Sequence, residues 1–549
     1  SSWIPRSRDT LGITRVRLFE TLAYSLGACI VDVVDPFIAQ LVNEVEEFSG
    51  VTADTCRVIS AELVAGICRG LRIPQMTAAT TTTAAGAEVV QFEKGSIAEK
   101  LVGWIDTVLD AFSGHEGMVN GGTLLRLIAS SDVEGTIGKS LGVYLRNRSI
   151  SAAPLLEVNA PAHVQAKKLR YLHALVADAD PRDDESAAHM AGVVSMSLCS
   201  ATDLYSHPLK HVREEIARCL SLFSSFVAAG ATDNFMKSCR TVSQQLEAQS
   251  LQLDSSKSAG SSSSAAAGGS PPAATGSVAA SGEIDVEGME EAKKHRSRGG
   301  ETLSRWISVV HWNGDTANFA QFLPVLLPSL FASLDDSDPE RISHARLALS
   351  LASQAKFGAD VLERIVQVSE TAASSSKWKV RGSVLPFAQV LAFSRLFTAP
   401  DDVLQRIRMI IVRLLMDEQL EVREAAAHTL VPIVRDAPQE TIVEVREMMA
   451  QRLSETDHAF VSKSRRRRNK KKQQSAEEAA AASKAAVIDP RVMLQRHSAV
   501  LGLSSMVMSS PYDVPEWMPS VLMELARCIN NPAPINASVR RLFAEFWRT

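Results

Sequence analysis

Aromatic side chains are scarce here, at 5% of 549 residues, although apolar residues reach 46%. The apolar mass is therefore mostly Leu, Ala, Val and Ile, a palette that favours helices. Cysteine is sparse and scattered: Cys29, Cys56, Cys68, Cys199, Cys219, Cys239 and Cys528 form no C-x-x-C pair. Most sit in helical apolar patterns, where a free thiol acts as a small hydrophobe, and the usage points to a reducing compartment, cytosol or nucleus. Charge of one sign is also lacking. A formal net charge of −4 gives no global reason to bind nucleic acid or an anionic membrane. Long apolar runs are missing too. The best, Phe319–Leu334, is interrupted by Pro324 and Pro328 and is shorter than the ~20 residues a spanning helix needs, which argues against a membrane partner. With no initial Met, no targeting peptide and a Trp-Arg-Thr end, the chain reads as a cut from a longer polypeptide.

Catalytic signatures are equally thin. No G-x-x-x-x-G-K-[ST] occurs. His207 and His211 have a zinc-compatible spacing, but Pro208 stands where a zincin needs Glu, so His207 is read as a turn residue beside a capping segment. Glu214 with Glu215, and the trio Glu44, Glu46 and Glu47, are read as solvated helix faces. The chain is read as a non-enzyme that requires no cofactor.

What is present is helical period. Val403, Leu404, Ile407, Ile410, Ile411, Leu414 and Leu415 form one stripe, with Arg406, Arg408 and Arg413 away from its centre. Val422, Ala426, Leu430 and Ile433 form another. Between them Asp417-Glu418-Gln419 is short enough only for a tight turn, which predicts a helical hairpin. Val-Arg steps recur at Val212-Arg213, Val380-Arg381, Val422-Arg423 and Val539-Arg540. Arg381 to Arg423 is 42 positions, and Arg496 to Arg540 is 44. Such periods match HEAT and armadillo helix pairs, which bury their faces only by stacking. Any single pair also reads as an ordinary amphipathic hairpin. Asp417, Val422 and Arg423 occupy the HEAT offsets, with the Asp bracing its turn, the Val in the core and the Arg reaching the next acidic turn. Only this repeat carries all three. Arg381 and Arg540 are the matching seam arginines.

The fold class is thus all-α, an α-solenoid of HEAT/armadillo-like helix-pair repeats. Residues 1–250 are read as repeats with a low-complexity loop at 77–88, and 251–300 as a disordered linker centred on Ser255–Gly282. Residues 301–460 are further repeats, 461–486 a basic and Ala-rich insert, and 487–549 a C-terminal helical module. Asp338-Pro339 is read as a helix start, Pro515 as another, and Asn530–Pro534 as a turn. Eight cations crowd the insert: Lys463, Arg465, Arg466, Arg467, Arg468, Lys470, Lys471 and Lys472. Mutual repulsion predicts an extended segment. Its candidate roles are nuclear import, polyanion contact or a solvated loop. With no aromatic interleaving, stacking on nucleic acid bases is not expected.

Three stretches resemble one family. "KWKVRGSVLPFAQVLAFSRLF", "LLMDEQLEVREAAAHTL" and the long run from "RHSAVLGLSSMVMSSPYDVPEWMP" to Thr549 are similar to the C-terminal region of the proteasome activator complex subunit 4 family, over about Lys377–Thr549. The resemblance implies an ATP-independent cap, a HEAT-like dome on the 20S proteasome α-ring that opens its gate to unfolded proteins without ubiquitin. It implies nuclear and cytoplasmic localisation, turnover of acetylated histones, a link to DNA repair, and inositol polyphosphate in basic openings. The family's hydrophobic-Tyr-any-residue tail would lie beyond Thr549. Its bromodomain-like stretch falls at 371–460, where the acetyl-lysine Asn-Phe pair is replaced by Asp436-Ala437-Pro438. Those residues supply neither the amide nor the aromatic ring. The alternative reading is a HEAT scaffold of another kind, such as a nuclear transport receptor.

Overall fold

Many of the helices stack in alternating rows, burying an apolar face against the helix two places along the chain. The computed structural model describes residues 11–43, 53–72, 79–82, 88–112, 114–131, 136–151, 160–177, 204–226, 240, 244, 286–314, 316–470 and 489–548. The chain divides into two units, Ser1–Phe319 and Ala320–Thr549.

The first unit runs through α1 (Ile13–Leu26), α2 (Cys29–Asn43), α3 (Ala53–Gly70), α4 (Ile97–Ala111), α5 (Gly114–Ala129), α6 (Ile137–Ser151), α7 (Ala162–Val176), α8 (Lys210–Phe226) and α9 (Val286–Asn313). Helices α1, α3, α5, α7, α8 and α9 pack in succession, and α2, α4 and α6 form the companion row. Their core is aliphatic: Ile38, Ile67, Leu71, Leu101, Ile105, Leu124 and Ile128 are all buried. Helix α1 lies close on α3 because Gly66 and Gly70 face it. A Cβ on Gly66 would stand 2.6 Å from the Val16 carbonyl oxygen, and one on Gly70 would collide with the Glu20 backbone.

Two expectations fail in this unit. The stretch 77–88 is not simply a loop. It contributes β1 (Ala79–Thr82), which pairs antiparallel with β2 (Glu88–Gln91) in the register Thr80 to Val90. Successive β-branched threonines favour extended backbone, and a two-stranded ribbon uses it. The 251–300 linker also ends sooner than expected, because α9 begins at Val286. The mixed-charge tract there is made of good helix formers, and Ser297 near its end is buried. Ser255–Gly282 lies outside the described residues, as do Cys199, Cys239, Glu44, Glu46 and Glu47. Of the other cysteines, Cys56, Cys68, Cys219 and Cys528 are buried, as the apolar patterning predicts, while Cys29 is exposed.

The second unit comprises α10 (Leu323–Ser333), α11 (Pro339–Gln354), α12 (Ala359–Ala372), α13 (Trp378–Arg395), α14 (Asp401–Leu414), α15 (Leu420–Arg435), α16 (Gln439–Lys470), α17 (Pro490–Met508), α18 (Met518–Arg527) and α19 (Ile535–Phe546). One row is α10, α12 and α14; the other is α11, α13, α15, α17 and α19. Both predicted stripes on α14 and α15 are buried throughout. Arg406 and Arg413 lie off the stripe as expected, Arg406 bridging back to Glu363 and Glu370 on α12. Arg408 does not: it is 7% exposed, its stem lying within the packed helix surface. Asp338 caps α11 through the Glu340 amide at 3.0 Å, with Pro339 opening the helix. Pro515, however, opens nothing, since α18 starts three residues later at Met518 with Pro519 in its first turn. The Asn530–Pro534 turn precedes α19 as read and holds a cis Ala533–Pro534 bond.

The basic run also departs from its reading. The backbone of α16 stays helical to Lys470, carrying Lys463, Arg465, Arg466, Arg467, Arg468 and Lys470 on its last turns. Arg and Lys are strong helix formers, and cations at a helix C-terminus complement its dipole, so an established helix propagates through them. Lys471 and Lys472 lie outside the described residues.

Packing at α1 and α3 generates a paired expectation. Gly70→Ala forces α1 outward and destabilises by on the order of 1–3 kcal/mol. Gly103→Ala, on the open face of α4 with nothing near its Cβ, stabilises by up to about 1 kcal/mol. Urea unfolding monitored by circular dichroism reads both signs.

Candidate functional site

Each inter-helix turn in this protein meets the same problem: the carbonyls ending one helix and the amides opening the next lack intrahelical partners. Three turns solve it with the same set of atoms. The first turn residue accepts the amide of the residue two along: Asp417 Oδ1 from Gln419 at 2.9 Å, Ser375 Oγ from Lys377 at 3.3 Å, and His207 Nδ1 from Leu209 at 3.1 Å. The Arg six residues after it then folds back onto two carbonyls. Arg423 Nη1 donates to Asp417 and Glu418 at 2.6 and 2.9 Å; Arg381 Nη1 to Ser375 and Ser376 at 2.8 and 3.0 Å; Arg213 Nη1 to His207 and Pro208 at 2.6 and 2.9 Å. In each case the Val before the Arg is buried. Burial depresses the His207 pKa, consistent with an imidazole whose Nδ1 must stay free to accept.

The remaining guanidinium edge then reaches a neighbouring repeat. Arg381 Nη2 meets Asp417 Oδ1 at 2.7 Å, with Nε on the other oxygen, a fork-on-fork pair that raises the Arg381 pKa. Arg213 Nη2 meets Glu301 at 2.6 Å, and both side chains are 5% exposed. Asp417, Val422, Arg423 and Arg381 thus all sit at turns between helices. Arg423 reaches no acidic turn; its Nε donates to His497 Nδ1 on α17 at 3.1 Å.

Arg540 is a correction. It is exposed, and the adjacent Arg541 makes the inter-helix contact, to Glu424 at 3.2 Å. The reason is register. Arg213, Arg381 and Arg423 are each the fourth residue of their helices, whereas Arg540 is the sixth of α19, too deep to fold back on the turn. Glu215 is a second correction. It is 4% exposed rather than solvated, and Arg170 and Arg218 hold it at 2.8 and 2.7 Å. Glu214 likewise pairs with Arg305 at 2.9 Å. Their spacing on α8 directs them toward α7 and α9, which sequence alone did not place there. Asp436 and Pro438 are exposed in the turn after α15.

Where α15, α17 and α19 meet, the seam leaves a groove of about 380 Å³. Val431, Pro432, Leu501, Met508, Pro511 and Leu542 supply its apolar walls, with Arg435, Arg541, Glu424 and Glu545 as its charged groups. Ser505 Oγ donates to the Ala427 carbonyl at 2.8 Å and Arg435 Nε to the Ser509 carbonyl at 3.2 Å, fixing α15 against α17. Ser538 lines the groove, and its Oγ lies 3.0 Å from His497 Nε2. The pair superficially suits a nucleophile. Its protonation is inverted: with Arg423 donating to Nδ1, the ring proton sits on Nε2 and points at Ser538, leaving no base to take the hydroxyl proton. Burial first, then Arg423 and Arg541, push His497 down to about 4, which keeps it neutral at pH 7. This triple junction was not legible from sequence, because Arg423 and His497 are separated by the insert. Among the described residues no group of three His, Cys, Asp or Glu side chains is placed to hold a metal, and no helix is long and apolar enough to cross a membrane.

Two consequences are measurable. Arg381→Ala strands a buried Asp417 carboxylate and costs on the order of 3 kcal/mol, while Arg540→Ala stays within about 0.5 kcal/mol. In a double-mutant cycle the Arg381→Ala, Asp417→Ala protein loses less than the sum of the singles. Second, His497 titrates lower folded than unfolded, so protons favour the unfolded chain. Its contribution is complete above pH about 6.5 and falls as pH drops toward about 4, by at most a few kcal/mol. Chemical denaturation between pH 7 and 4.5 shows a steeper loss for the parent than for His497→Gln, relative to each protein's own stability at pH 7.

The comparisons with known proteins bear on this half of the chain. A family profile described as "Proteasome activator complex subunit 4-like, C-terminal" matches residues 493–549, which span α17 to α19. Proteasome activator complex subunit 4A of Danio rerio is 33% identical over 273 residues, 49% of this chain and 14% of the relative. Proteasome activator complex subunit 4 of Homo sapiens is 34% identical over 237 residues, 42% of this chain and 12% of the relative. The chain thus spans a small fraction of the length of these relatives. Among solved structures, Kap121p aligns over 97% of this chain and 49% of its own at 12% identity, with a TM-score of 0.32, too low to establish a common fold. The C-terminal portion of this chain is thus similar to the proteasome activator complex subunit 4 family.

Proposed function

We propose that this chain is the C-terminal part of a proteasome activator that caps the 20S core particle at its α-ring. There it promotes ATP- and ubiquitin-independent degradation by opening the gate. The observation that carries the reading is the similarity at 33–34% identity across 42–49% of the chain, shared with proteins named as proteasome activators. The physical design agrees with a binding role. Arg213, Arg381 and Arg423 are consumed in joining helices, and the Ser538–His497 pair is protonated the wrong way for nucleophilic catalysis. The function falls to surfaces rather than to reacting groups.

The same reading extends to nuclear as well as cytoplasmic residence, with the cations from Lys463 to Lys472 as the import or polyanion-binding element and inositol polyphosphate as a ligand class. Acetylated histones and DNA repair remain partner and process proposals. Recognition of acetyl-lysine at Asp436-Ala437-Pro438 has no support in the chemistry of those side chains.

The test is co-purification of the full-length polypeptide carrying this sequence with 20S particles at low salt, together with peptidase assays. The expected result is stable association and a rise in peptide hydrolysis without ATP. Absence of both overturns the assignment.

A further inference from the structure

We propose that the groove between α15, α17 and α19 captures the C-terminal end of an extended peptide, its terminal carboxylate on Arg435 and its last apolar side chain against Val431, Pro432, Met508 and Leu542. Size sets the first limit. About 380 Å³ is at the small end for ligand sites, enough for one or two residues of a peptide and too little for a packed helix.

Charge sets the second. Arg541 is offset by Glu424 at 3.2 Å, and Glu545 stands one helical turn beyond Arg541 on α19. Arg435 differs. Its Nε is tethered to the Ser509 carbonyl at 3.2 Å, and among the described residues no carboxylate pairs with it. The tether orients the guanidinium at the groove while leaving Nη1 and Nη2 for a ligand, the geometry suited to a planar carboxylate. The combination of cation and apolar wall within one small cavity selects a ligand that carries both on a single residue. A peptide C-terminus does so: its carboxylate and side chain share one Cα.

The groove's walls are held by contacts that do not involve the Arg435 Nη atoms. Ser505 to Ala427, Arg541 to Glu424 and the Arg423–His497–Ser538 line fix the three helices. Arg435→Gln removes the fork together with the Nε tether to Ser509, and these remaining contacts are expected to hold the fold.

The probe is a fluorescein-labelled Gly-Ser-Gly-Ser-Ala-Leu peptide with a free C-terminal carboxylate, titrated with the 549-residue chain and read by fluorescence anisotropy. Its comparators are the same peptide with a C-terminal amide, and an amidated peptide carrying an internal Glu. The free acid is expected to bind saturably, and both amidated peptides about tenfold more weakly or worse. Arg435→Gln reduces the acid to the level of its amide and leaves the amide unchanged, and Arg540→Gln changes neither. Equal binding of acid and amide overturns the proposal, as does retention by Arg435→Gln, full-strength binding of the internal-Glu peptide, or no saturable binding of the acid. The acid–amide comparison uses the unaltered protein, so it decides the matter even if a variant fails to fold. It needs no core particle, so its outcome is independent of the proteasome assignment.

Discussion

A guanidinium at the fourth residue of a helix, folded back on the two carbonyls of the preceding turn, is the contact on which the repeat stack depends. Arg213, Arg381 and Arg423 each satisfy orphan acceptors that would otherwise remain unpaired beside the core. Each then extends one edge to a neighbouring element, so the same side chain closes its own turn and fixes the register of the next helix. A Lys cannot do both, since a point-like ammonium lacks the planar fork. The buried Val beside each Arg supplies the apolar half of the joint. Helical pairs of this kind bury little when isolated, and the arginines make their stacking directional.

That economy bears on function. Charged residues that would attract attention in a search for chemistry are occupied elsewhere: Glu215 lies between Arg170 and Arg218, and Asp417 lies under Arg381. His497 is buried, neutral and hydrogen-bonded on both nitrogens. Large aromatic side chains lie on the surface: Tyr512 is 95% and Trp547 90% exposed.

Much of this was written into local sequence. The apolar stripes of α14 and α15 and the short turn at Asp417-Glu418-Gln419 follow from period and spacing alone. Long helices declare themselves by repetition. Failures came where a local rule met a tertiary or register effect. Val539-Arg540 repeats the dipeptide of the seam, yet two residues of helical phase turn its Arg to solvent. The charged tract before Gly300 has a linker's composition, yet its helix formers carry α9 through it from Val286, with Ser297 buried. The cationic run suggested extension, while helix propensity and the end dipole carried α16 to Lys470. The groove and the His497 junction were invisible because their residues lie on helices that only the fold brings together.

Hydrogen exchange on Arg423→Ala tests the central claim most directly, because Arg423 joins a turn, α15 and α17 at once. If the guanidinium couples repeats, backbone protection should fall together in α15, α17 and α19 while α10 to α12 keep theirs. Faster exchange confined to residues 417–419, with α17 and α19 unchanged, would show that the arginine merely caps its own turn and that other contacts hold the stack together.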